Sequence, residues 1–169
     1  MWIGALGVAG VDDVLERATR PFLASHSGCR AITDVHRNLS DEQLEGIAER
    51  GGVVGVAVAV PQFLDAENPS VERAVDHIEH VMATAGVDRV GIGPDFIEDY
   101  FQAAYGGWVP VPGVENSPHH AEIERPADLP KVTAEMVRRG FPEHDIRKIL
   151  GGNVQRVLHD VMGNPRPAR

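Results

Sequence analysis

A single cysteine, Cys29, occurs in the 169 residues, so no intramolecular disulfide framework holds this chain together. No apolar run is long enough to cross a bilayer, and the first residues lack the charged start and apolar stretch of a secretory signal. Residues 163–169, GNPRPAR, are polar and proline-rich, unlike the hydrophobic tail that directs a lipid anchor. Basic residues are in the minority: 16 Lys and Arg stand against 25 Asp and Glu, for a net charge of -9 and a pI near 5.3. No basic stripe runs along any segment, which argues against a phosphate-backbone partner. Repeats and low-complexity tracts are also missing. A cytoplasmic protein without nucleic-acid or membrane partners is the expectation.

What the sequence does hold is apolar periodicity. Hydrophobic residues make up 43% of the chain, enough for one compact domain over residues 1–169. Apolar runs at 21–24, 53–59 and 89–92 read as strands. Helical patterns occupy 11–18, 40–50, 70–85, 129–139, 142–150 and 153–162. Ser40 with Gln43 three residues on, and Ser70 with Arg73, are helix-start signals, while Gly51-Gly52 and Gly86 supply stops. About three strands alternating with helices give an α/β fold with parallel strands.

The stretch 21–59, PFLASHSGCRAITDVHRNLSDEQLEGIAERGGVVGVAVA, carries the chemistry. A short apolar run ends in Ser25-His26-Ser27, which puts the His26 imidazole where a buried strand gives way to a loop. Arg37 follows in that loop, and Asp95 closes a second apolar strand through Gly93-Pro94. In parallel α/β architecture all three fall at the C-terminal strand edge and can share one cleft. Each also has a plainer reading. His26 can be a hydrogen-bonded strand-end histidine, Arg37 a brace pairing with Asp34 or Asp41, and Asp95 a cap on a neighbouring loop.

Three blocks, SHSGCRAITDVHRNLSDEQLEGIAERGGVVGV, HIEHVMATAGVDRVGIGPDF and LPKVTAEMVRRGFPEHDIRKILGGNVQRVL, resemble the membrane (renal) dipeptidase family of zinc peptidases. The resemblance implies part of a (β/α) TIM-type barrel of the metal-dependent-hydrolase kind, and within it the C-terminal portion. It makes His26 a ligand of one zinc in a two-zinc site, Arg37 the group that binds the substrate's terminal carboxylate, and Asp95 an acidic substrate or proton-transfer residue. Two metal ions would activate water, and a planar guanidinium suits a carboxylate through paired hydrogen bonds. The implied function is zinc-dependent hydrolysis of dipeptides.

The same comparison shows departures. The family's His-x-Asp pair and metal-bridging Glu lie upstream of the matched region, and no His stands near Gly4 and Ala5 where another ligand is due. A full barrel takes about 250 residues. The rival expectation is therefore a catalytically inactive remnant or binding subunit, lacking most metal ligands. Homo-oligomerisation, or pairing with a chain that supplies the first half, would cover the open sheet edges.

Other groups draw plainer readings. His77 and His80 lie three apart on one helix and are expected at its solvated surface. His119-His120 falls in the Pro/Gly-rich stretch 105–128, read as a mobile loop over the cleft and given no role. Gly151-Gly152-Asn153 follows a helix and lacks a downstream Lys-Ser/Thr, which makes it a turn rather than a phosphate loop. Ser25 and Ser27 are outside the Gly-x-Ser-x-Gly turn of a serine hydrolase.

Overall fold

A computed structural model of the protein describes residues 2–3, 8–96 and 122–163. His119-His120, the tail at 164–169 and the Gly4-Ala5 neighbourhood lie outside the described residues. Strands β1 (Trp2–Ile3), β2 (Leu23–Ser27), β3 (Val53–Val56) and β4 (Val90–Ile92) form one sheet in the order β1-β2-β3-β4. Every pair is parallel. Sequential parallel neighbours are the pattern of a singly wound barrel segment, whereas a doubly wound sheet reverses its order at a switch point. The α/β reading holds, with the two-residue strand β1 added to the three expected.

The helices are α1 (Val8–Arg17), α2 (Asp41–Glu49), α3 (Pro61–Leu64), α4 (Val71–Ala85), α5 (Pro130–Arg138), α6 (Glu143–Arg147) and α7 (Asn153–Met162). Ser40 caps α2 in a reciprocal capping box with Gln43, and the Ser70 hydroxyl accepts from the Arg73 N–H at the start of α4. Gly86 ends α4 at φ 91°, a conformation that a side chain resists. A π-helical turn, Lys148–Gly152, joins α6 to α7, in keeping with the turn expected at Gly151-Gly152-Asn153.

Alternation along the strands sends apolar groups to both faces. Phe22, Ala24, Val54, Val56 and Val90 pack under the helical layer with Leu44, Ile47, Ile78 and Met136, all buried. Leu23 and Val53 face the other way and meet Val154, Val157 and Val161 of α7. Burial on both faces is why these strands read as continuous apolar runs.

Helix α7 is tied to the N-terminal ends of the strands. Arg20, just ahead of β2, donates to the carbonyls of Asp160 and Val161. Arg156 donates to those of Gly51 and Asp88, and Asn153 Nδ2 reaches Val87 O and Val90 O at 2.7 and 2.8 Å. One end of the sheet is thereby occupied, and the C-terminal strand ends remain for the cleft.

Three expectations need correction. His77 is fully buried, since α4 is packed on both sides at that position, and His80 pairs with Asp41 at 2.7 Å. Helix α3 fills a stretch to which no element was assigned. The end of the 105–128 stretch, residues 122–128, is anchored rather than loose: Ile123 is buried in the core, and the Glu122 carboxylate accepts from the Val71 N–H.

Candidate functional site

The site is built on an irregularity in β2. Ala24 pairs with Val54 and Ser27 with Val56, so three steps on β2 match two on β3, and the extra residue is absorbed at Ser25-His26. Such a bulge is uncommon between parallel strands and re-aims the side chains it carries. His26 therefore sits within the strand, not in the loop beyond it. The bulge lays the Ser25 carbonyl across Gly55 and Gly93, where a Cβ on either glycine would overlap that oxygen. Both strands need glycine there because backbone takes the space of a side chain.

Across the sheet edge, Asp95 adopts φ 59°, the left-handed region that Asp tolerates better than most residues. Its Oδ2 stands 3.7 Å from His26 Nε2, beyond direct hydrogen-bond length. The other ring nitrogen, Nδ1, lies 3.0 Å from the Ser25 hydroxyl, which fixes the ring plane. Burial lowers the pKa of His26; Asp95 opposes this and the Arg37 charge adds to it. The imidazole is consequently held neutral near pH 7, the form that offers a lone pair.

Arg37 reaches this group electrostatically from the loop after β2, with its guanidinium 4.9 Å above the Phe63 ring. Asp41, one of the partners expected for it, is engaged by His80. His26 and Asp95 line a cleft of about 420 Å³ together with Ser25, Gly55 and Gly93, and Val154 of α7 forms part of its wall. Arg37 is not among the lining residues. The structure thus brings His26 and Asp95 together in one cleft and leaves Arg37 in the loop after β2, outside the lining.

Residues that sequence reasoning passed over complete the arrangement. Gly55 and Gly93 carried a signal, since glycine inside an apolar strand marks close backbone approach. Asn38, Phe63 and His77 carried none, because their contacts join segments far apart in sequence. Cys29 is buried and its thiol is pushed up to about 12 by burial, so it is inert as a nucleophile.

The family model for membrane dipeptidase, peptidase family M19, matches residues 3–168. The chain belongs to the M19 membrane dipeptidase family. It is 31% identical over 154 residues to dipeptidase verJ of Clonostachys rogersoniana, covering 91% of this chain and 35% of that one. Among solved structures it resembles a metallopeptidase from Rhodobacter sphaeroides bound to a phosphinate mimic of L-Ala-D-Ala, at TM-score 0.72 and 31% identity, over 92% of this chain and 40% of that one. An amidohydrolase from Pseudomonas aeruginosa matches at TM-score 0.77 and 29% identity, over 96% and 52%. The chain spans about a third of the length of the curated dipeptidases it matches.

M19 enzymes are metallopeptidases, and the donor set here can be tested against that chemistry. Catalytic zinc takes three protein ligands and keeps one open position. Among the described residues no group of three or more His, Cys, Asp or Glu side chains comes together. His26 and Asp95 offer two donors, so they do not fit a zinc ion unaided.

Proposed function

We propose that this chain carries the substrate-binding part of a zinc-dependent dipeptidase site and corresponds to the C-terminal portion of an M19 barrel. The observation that supports this most is the convergence of His26, Asp95 and the Arg37 charge at one strand edge, beside a cleft of suitable size. In this reading Arg37 receives the C-terminal carboxylate of a dipeptide through two parallel N–H donors. Asp95 serves as an acidic contact for the substrate or moves a proton at its carboxylate oxygen. His26 offers one ring nitrogen as a metal donor, and a second chain supplies the remaining donors, which this sequence lacks.

A second reading, a binding chain without turnover of its own, is favoured by the incomplete donor set among the described residues. Zinc content per chain, dipeptide affinity and hydrolysis of a dipeptide panel separate the two. Arg37→Met is expected to weaken dipeptide binding by roughly tenfold to a hundredfold, the range for a charged hydrogen-bonded contact. Bound zinc and turnover that vanish in His26→Ala would establish the enzyme. Arg37-dependent binding with neither would establish the binding chain, and binding indifferent to Arg37 would refute both.

A further inference from the structure

We propose that Asn38 and Phe63 are positioning residues that hold the Arg37 guanidinium in place, a role that rests on Arg37 being the carboxylate-binding group. Asn38 is the next residue in the chain, and its side chain is buried. Its amide uses both N–H donors and its oxygen. Oδ1 accepts from the Gly28 N–H at 2.8 Å, while Nδ2 donates to Thr33 O at 2.8 Å and Phe63 O at 2.9 Å. The pattern also fixes which end of the amide is which, because an N–H lies on one side and carbonyls on the other.

Two further contacts bring the grip onto Arg37 itself. The Ser27 hydroxyl donates to the Arg37 carbonyl at 3.1 Å, and the Leu39 N–H donates to Gly28 O at 3.0 Å, so the loop closes on itself beside Arg37. Opposite it, α3 is clamped at its own carbonyls. Leu64 O receives both the Thr33 hydroxyl and His77 Nε2–H, and Phe63 O receives Asn38. Asn38 therefore joins the backbone that carries Arg37 to the backbone that carries the ring beneath its guanidinium. A flexible arginine loses rotamer freedom when it binds an anion, and a stacked, fixed guanidinium has lost much of it beforehand.

A purely structural role for this hub would lower stability and leave the Arg37 side chain as ordered as before. The deciding readout is the NMR order parameter of the Arg37 Nε–H bond in the ligand-free chain, which requires no activity. It is expected to fall in Asn38→Ala and in Phe63→Leu and to hold in Phe63→Tyr, which keeps the aromatic face. Dipeptide affinity should drop roughly two- to fivefold in Phe63→Leu, the strength of one cation–π contact, and Phe63→Leu should cause no further loss once Arg37→Met is in place. An unchanged order parameter in folded Phe63→Leu overturns the proposal even where Asn38→Ala does not fold. Loss of order alongside a wild type that binds no dipeptide would uphold the positioning and remove the substrate reading instead.

Discussion

Gly93→Ala is expected to be the most damaging glycine-to-alanine change among the described residues. The added Cβ would overlap the Ser25 carbonyl, with the backbone of His26 directly behind it, and backbone cannot rotate aside as a long side chain does. Relief demands moving β2 away from β4, which costs about 1–3 kcal/mol in a packed core. The same movement carries His26 off its 3.7 Å approach to Asp95, so stability and the cleft should fail together. Urea unfolding and dipeptide titration measure the two effects. Gly86→Ala is the control: nothing lies within 4 Å of a Cβ there, and its φ of 91° should cost about 1 kcal/mol while the cleft survives. Equal behaviour of the two variants would show that the bulge does not depend on Gly93.

Acid should unfold this protein through His77. The Cys29 N–H donates to Nδ1 at 2.9 Å, so that nitrogen must keep its lone pair, while Nε2 carries the hydrogen given to Leu64 O at 3.0 Å. A second proton would set two N–H groups against each other in a buried site. Burial accordingly lowers its pKa; Arg73 and His80 act in the same direction, and the Leu64 carbonyl and Asp76 oppose it. Because the folded pKa lies below the unfolded value of about 6.5, the unfolded chain takes up the proton first. The contribution of His77 is thus complete above pH 6.5 and is lost as pH falls towards the folded pKa, by up to about 1.4 kcal/mol per pH unit.

His26, also lowered by burial, adds to this slope with the same sign. His77→Leu should cost about 1–3 kcal/mol at pH 8, since it leaves the buried Cys29 N–H without its acceptor. It should also flatten the loss of stability between pH 6.5 and pH 5. Urea midpoints across that range decide the matter, and an acid slope in His77→Leu as steep as in wild type would sink the assignment.

Local chemistry explains which features could be read in advance. The Ser40 and Ser70 caps, the Gly86 stop and α7 at 153–162 all depend on neighbours within one turn of helix, and each stands where the pattern puts it. The end of β2 escapes the apolar pattern because its last residues, Ser25-His26-Ser27, are polar. What keeps them in the ladder is pairing of Ser27 with Val56, some thirty positions along the chain. Helix α3 spans only four residues, too short for a period to show. A lone polar residue in a helix usually faces water, which points His77 to solvent; it is buried because the loop after β2 and α3 close over it.

The sequence by itself determined the parallel α/β pattern and the placing of His26 and Asp95 at one strand edge, which follow from the order of the apolar runs, and the family, which follows from the three blocks that resemble it. Tertiary structure alone decided how His26 is aimed, what lies beneath Arg37, and which polar groups are buried. A bulge depends on the register of the next strand, a cation–π contact on α3 reaching the loop after β2, and the protonation of His77 on donors supplied from other segments. None of these leaves a mark in the local pattern, because each arises from contacts that exist only once the chain has folded.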